Sequence, residues 1–349
     1  MADAETYMRR CFSLAQLGAG WVSPNPLVGA VVVHNDRIIG EGWHAAYGGP
    51  HAEVNAINSV QNKTLLKEAT LYCSLEPCHH YGKTPPCVDL IIKCQFKKVV
   101  ISNLDPNPLV GGKSIEKMRE AGIEVTTGVL EATGAWLNRY FFHWITQKTP
   151  YVVLKWAQSK DGRIAKMGEQ TPISSAVTRR LVHRWRSELD GILVGTHTAL
   201  IDNPQLDTRF FPSGRLTRIA LDSKGRLPSN YHLLDDSRET LIIGPPKKGT
   251  WKNTKFVSLN RTDSISSLLL ALKEQGIATL LVEGGAQLHR SFLEADAWQE
   301  IRIIESTKVI SEGVAAPILP SKLVRQQEYC VGDDQIRWFS KLDIPEVSR

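Results

Sequence analysis

Two short stretches, PHAEVN (50–55) and SLEPCHHYGKTPPCV (74–88), limit the folds open to this chain more than any other feature. Residues two apart on a regular helix do not face each other. At the exposed first turn of a helix, however, His51 and Glu53 would both reach a site above it, and Pro50 suits a helix start because its missing N–H loses nothing there. Cys78 follows Pro77 where a β-rich run ends. Cys87 returns after eight residues that include Gly82, Pro85 and Pro86, enough turn chemistry to fold the loop back. One imidazole and two thiolates are three soft donors, which leave a tetrahedral zinc ion one open position, the catalytic rather than the structural arrangement. Such an ion lowers the pKa of its bound water to roughly 7, and Glu53 beside it is suited to carry the proton. His79 and His80 are competing ligands in the same loop, whereas Cys73 and Cys94 lie in apolar contexts that suit buried thiols.

The rest of the chain reads as alternating strand and helix. An amphipathic helix over 4–18 precedes two β-rich runs joined at His34-Asn35-Asp36, and a helix over 51–60 precedes a strand through Cys73. A helix over 87–93, a strand at KKVVIS, a helix over 113–121, a short strand at IEVTTG and an aromatic helix over 130–148 follow. Pro150 and a fresh β-run mark a boundary, predicting domains 1–146 and 147–349. The second half alternates again: YVVLKWAQ, helix 176–188, DGILVG, TRIALD, TLIIG, helix 264–275, ATLLVEGG, helix 286–294 and EIRIIES. The expectation is two α/β domains in series, which the length of 349 residues also favours.

Composition excludes more than it assigns. With 42% hydrophobic and 22% charged residues the chain has an ordinary globular balance, and the net charge of +6 suits anionic small ligands without demanding nucleic acid. No basic-aromatic stripe supports nucleic-acid binding. The N-terminal residues, with Asp3 and Glu5, lack the apolar core of a signal peptide, and no apolar run reaches about 18 residues, so no membrane partner is expected. Six cysteines in 349 residues favour thiols or metal ligands in a reducing, cytoplasmic setting.

The pair H-x-E and P-C is that of zinc nucleobase deaminases, although their second cysteine follows at P-C-x-x-C spacing. NPLVGAVVV, GEGWH, GGPHAEVNA, LYCSLEPCHHYGKTPPCVD and DPNPLVGGKS together closely resemble the deaminase half of the bifunctional riboflavin-biosynthesis deaminase–reductases, which show the eight-residue separation. The resemblance, over residues 5 to 145, implies a cytidine-deaminase-like three-layer domain with zinc ligands His51, Cys78 and Cys87 and Glu53 as the proton carrier. Its substrate would be a phosphorylated pyrimidine. Asn25, His44, Lys83, Asp105 and Asn107, in loops beside the motif, are the candidate polar contacts.

The second half has no G-x-G-x-x-G, so a dinucleotide-binding Rossmann unit is not indicated. TLLVEGGAQLHRSF instead runs a buried strand into Gly284-Gly285 and a helix, a junction whose backbone N–H groups suit a phosphate. With TRRLVHRWR and GTHTALIDNPQLDTR it resembles the reductase half of the same family, which implies a dihydrofolate-reductase-like fold and NADPH. NADPH would then contact Ala157, Pro172, Thr198, Asp202, Ser223, Gly285, Ala286, Gln287, Leu288, His289, Arg290 and Ser291. Gln170, Arg186, Leu206, Arg209 and Glu283 would contact the phosphorylated substrate. Pro172 stands where many members of the family carry tryptophan, and STKVISEGVAAPILP follows their pattern only loosely. The resemblance further implies a homo-oligomer.

Overall fold

The structure, a computed structural model, describes residues 3–81, 85–107, 111–212, 214–259, 264–321, 323 and 325–342. They form two compact units, one running up to Lys148 and the other starting at Thr149.

The first unit is a three-layer α/β/α body. Its elements are α1 (Ala4–Ala15), β1 (Gly29–His34), β2 (Arg37–Trp43), α2 (Ala52–Ser59), β3 (Thr70–Leu75), α3 (Cys87–Cys94), β4 (Lys98–Asn103), α4 (Lys113–Glu120), β5 (Glu124–Thr126), α5 (Glu131–Leu137) and α6 (Arg139–Gln147). The sheet runs β2-β1-β3-β4-β5, antiparallel up to β3 and parallel beyond it. Strand residues alternate between its faces. Val32, Leu71, Val99 and Ile101 pack with Ala52, Ala56, Val88, Ile91 and Met118 on one face, and Val31, Tyr72 and Val100 pack with Met8, Cys11 and Phe12 on the other. The sequence predicts one helix over 130–148. The structure has two, because buried Asn138 leaves the helical path to bond Leu27 on both main-chain groups, accepting from its N–H at 2.8 Å and donating to its carbonyl at 2.9 Å.

The second unit carries β6 (Tyr151–Gln158), β7 (Arg163–Ala165), α7 (Ala176–Ser187), β8 (Gly191–Val194), α8 (Thr196–Asp202), β9 (Thr217–Leu221), β10 (Thr240–Ile243), β11 (Thr254–Val257), α9 (Ile265–Glu274), β12 (Thr279–Gly284), α10 (Ala286–Glu294), β13 (Glu300–Glu305), β14 (Val314–Ala315), β15 (Arg325–Val331) and β16 (Asp334–Ser340). Its nine-stranded sheet runs β11-β10-β9-β8-β12-β6-β13-β16-β15. All pairs from β11 to β13 are parallel, and the last two strands are antiparallel. The central strands are buried almost throughout, as parallel strands covered on both faces must be. The carboxyl ends of β6, β8 and β12 therefore open toward one crevice, the usual ligand position in parallel sheets.

Candidate functional site

In the first unit, His51 is the residue that caps α2, with Pro50 one place outside the helix. Glu53 lies in the first turn and is buried. Cys78 stands three residues past β3, and Cys87 opens α3. His51 Nδ1 is 3.2 Å from Cys87 Sγ and 3.4 Å from Cys78 Sγ, and all three donor atoms lie within 4.8 Å of one another. Tetrahedral zinc with ordinary Zn–N and Zn–S bonds would set N and S roughly 3.6 Å apart, so this donor set fits zinc. His79 and His80 are not part of the cluster.

The charges suit a metal. Hydrogen bonding from Cys87, with help from His51, holds Cys78 well below the usual thiol range. The Cys87 N–H also donates to Cys78 Sγ at 3.2 Å. Burial, reinforced by the charge on Cys78, pushes Glu53 up to about 7, where a carboxyl group both takes and gives protons at neutral pH.

Above this cluster is a cavity of 410 Å³ lined by Asn25, His44, Asp105 and Asn107. Lys83 lies outside the described residues. The His44 hydrogen bonds define its tautomer: Nδ1–H donates to the Pro50 carbonyl at 3.1 Å, so Nε2 accepts from the Asn25 amide at 3.1 Å. Burial lowers the His44 pKa, in keeping with a neutral ring. The sequence gives no sign of Glu76, which also lines the cavity.

In the second unit two cavities meet at Thr198 and Gly285, which line both. The larger, of 910 Å³, brings together Ser223, Ala286, Gln287, Leu288, Arg290 and Ser291 around the start of α10. The smaller, of 330 Å³, takes Ala157, Pro172, Asp202, His289, Arg186 and Glu283. Gly285 caps α10 without a side chain, so the helix N–H groups face the cavity unobstructed. A Cβ on Gly285 would stand 3.0 Å from Thr198 Oγ1. A cavity of this volume at an open helix N-terminus, with Arg226 and Arg290 in its lining, fits a phosphorylated dinucleotide.

Within the smaller cavity Glu283 is clamped by Arg186, Nε and Nη2 each donating at 2.7 Å, while Lys155 Nζ stands 3.9 Å away. Burial alone would raise Glu283, but Arg186 and Lys155 hold it down to about 2. Burial lowers Lys155 against the pull of Glu283. Lys155 is a site residue that sequence inspection misses, its ammonium hidden within the apolar run of β6. His289, pushed down by burial to about 4, is neutral and donates from Nε2 to the Val282 carbonyl at 3.0 Å. Gln170 is exposed and, with Leu206 and Arg209, lies outside the lining of both cavities. Arg209 donates instead to Asp207 Oδ1 and Gln205 Oε1, at 3.1 Å each.

The two folds and sites define a zinc-dependent deaminase followed on the same chain by a reductase. Residues 1–103 match the cytidine and deoxycytidylate deaminase zinc-binding region, and residues 150–327 match the RibD C-terminal domain. The chain is 41% identical over 320 residues to the riboflavin biosynthesis protein RibD of Aquifex aeolicus, covering 89% of each. It is 41% identical over 328 residues to that of Bacillus amyloliquefaciens, covering 91% of this chain and 88% of the relative. Its structure is similar to that of a diaminohydroxyphosphoribosylaminopyrimidine deaminase/5-amino-6-(5-phosphoribosylamino)uracil reductase from Thermotoga maritima, with a TM-score of 0.89, 36% identity, and coverage of 96% of this chain and 98% of that one. Acinetobacter baumannii RibD is similar with a TM-score of 0.86, 32% identity and the same coverage.

The chain belongs to the RibD family of riboflavin biosynthesis proteins. It is a bifunctional enzyme, a deaminase that uses zinc and a reductase that uses NADPH. The first unit has the cytidine-deaminase-like fold and the second the dihydrofolate-reductase-like fold of that family. Among the described residues no helix is long and apolar enough to cross a membrane.

Proposed function

We propose that residues 1–146 deaminate 2,5-diamino-6-(5-phosphoribosylamino)pyrimidin-4(3H)-one to 5-amino-6-(5-phosphoribosylamino)uracil, and that residues 147–349 then reduce the ribosyl to the ribityl side chain. The observation that carries the first step is a buried carboxyl, Glu53, beside a three-donor cluster in a cavity that several polar side chains line. Held by His51, Cys78 and Cys87, zinc supplies the polarisation that makes water a nucleophile at neutral pH. Glu53 takes the proton as the water oxygen bonds to the amine-bearing ring carbon, and returns it to the nitrogen as the C–N bond breaks and ammonia leaves. Asn25, His44, Asp105 and Asn107, together with Lys83, hold the ring and its phosphoribosyl group.

When bound in the second domain, NADPH would supply the hydride that reduces the ribosyl to the ribityl side chain. The start of α10 and Ser223 hold the cofactor, with Ala157, Pro172, Thr198, Asp202 and His289 along its path. Arg186 and Glu283 orient the substrate. The ordered clamp between Arg186 and Glu283 supports a fixed polar wall on that side of the cavity. The enzyme acts in the cytoplasm as a homo-oligomer on a small phosphorylated pyrimidine.

The test is to give zinc-loaded protein the diaminopyrimidine ribosyl phosphate and to follow ammonia and NADPH together. Ammonia release followed by NADPH oxidation supports the proposal. Oxidation that begins before any ammonia appears contradicts the order of the steps, and no ammonia contradicts the substrate.

A further inference from the structure

We propose that Glu76 is a positioning residue for the deamination step, fixing the loop that presents Asp105 and Asn107 to the cavity. The proposal rests on the deaminase reading of that cavity. Glu76 is almost fully buried, and a carboxylate persists in such a place only when its oxygens are well supplied with donors. Oε1 accepts from Ser114 Oγ at 2.7 Å, from the Gly112 N–H at 3.0 Å and from the Ser114 N–H at 3.3 Å. Oε2 accepts from the Gly112 N–H at 3.0 Å and from the Asp105 N–H at 3.2 Å. One side chain therefore holds both flanks of the loop, Asp105 on one side and Gly112 with Ser114 on the other.

The loop is shaped to be held at that point. The Asp105 carboxylate accepts from the Asn107 N–H at 2.8 Å, and the Gly111 N–H donates to the Asn107 carbonyl at 2.9 Å. A Cβ on Gly111 would come within 2.7 Å of the Asp105 carbonyl oxygen, so the two flanks are packed backbone to backbone. Glu76 is anchored in turn, its N–H donating to the Asn103 carbonyl at 2.9 Å. Cys78 follows two residues later. The same strand end thus carries a zinc ligand and the anchor of the loop, which ties the distance between metal and polar contacts to a few residues of backbone.

A residue that only stabilised α4 would change the stability of the fold and leave substrate affinity alone. Steady-state deamination by the full zinc-loaded chain separates the two roles. Glu76→Gln keeps the shape but turns one acceptor into a donor that faces N–H groups. We expect KM for the diaminopyrimidine to rise about tenfold and kcat to fall less than about threefold. Zinc should stay at one per chain, and reduction of the deaminated intermediate should be unchanged. Ser114→Ala removes one of the five bonds and should move KM the same way by a smaller factor; it decides the matter if the glutamine variant does not fold. Combined with Asp105→Ala, Glu76→Gln should raise KM by less than the product of the two single effects. An unchanged KM in the variant that is measured, a loss of activity that follows loss of zinc at constant KM, or full multiplication of the two effects overturns the proposal. Absence of ammonia release by the unaltered enzyme would instead remove the deaminase reading itself.

Discussion

The Glu283 carboxylate on β12 receives two parallel hydrogen bonds from the Arg186 guanidinium on α7, each 2.7 Å long, and both groups are largely buried. A bidentate pair of this kind gives geometric precision as well as energy. It also leaves a charge without its partner when either member is removed. Arg186→Met should therefore destabilise the second unit by about 3 kcal/mol and abolish NADPH-dependent reduction, while ammonia release persists. Urea unfolding and the two half-reactions measured separately check this.

The same pair gives a pH dependence of known sign. Glu283 is held at about 2 in the folded protein against an ordinary value of 4.5, so its contribution to stability is fully present above about pH 4.5 and is lost as the pH falls through about 2. Thermal unfolding of the second unit should show a fall in Tm across that window. Arg186→Met should flatten this part of the curve.

Loss of zinc should separate the two activities. Cys87→Ser, or treatment with a strong chelator, should take bound zinc from one per chain to well below one and abolish ammonia release. NADPH-dependent reduction of the deaminated intermediate should continue at the original rate. Metal analysis beside the two rate measurements tests this.

Gly285 should tolerate no side chain. Its Cβ would stand 3.0 Å from Thr198 Oγ1 and would occupy the cavity where helix N–H groups face outward. Gly285→Val should weaken NADPH binding at least about tenfold, or ~1.4 kcal/mol, with deamination unaffected. A fluorescence titration with NADPH reads the change.

Asn138 stitches the break between α5 and α6 to Leu27. Asn138→Ala leaves the Leu27 N–H and carbonyl without these partners and should cost the first unit about 2 kcal/mol of stability. A lower Tm with a normal zinc content is the expected result.

What could be read from the residues follows their physics. The central parallel strands of the second unit are largely buried, so YVVLKWAQ, DGILVG and TLLVEGG appear as mostly apolar runs. The chemistry of His51, Glu53, Cys78 and Cys87 is carried by residue types and local spacing, and the cluster is correspondingly legible. The helix α8 is not, because Thr196, His197 and Thr198 have weak helix propensity; it forms on the Gly195 carbonyl with Ala199 buried beneath it. The hairpin of β15 and β16 is likewise hidden, since its polar, partly exposed alternation turns only at Gly332, and few of its residues join the core. Glu76 and Lys155 escape notice for another reason. The partners of Glu76 come 29 to 38 residues later, and Lys155 meets Glu283 only when β6 and β12 lie side by side.

The most direct test of the account is Glu53→Gln, measured in both half-reactions with zinc content determined on the same sample. The substitution removes the proton carrier and leaves His51, Cys78 and Cys87 in place. The account predicts one zinc per chain, deamination reduced about a thousandfold, and undiminished reduction of the deaminated intermediate. Deamination at the original rate by zinc-loaded Glu53→Gln would contradict it.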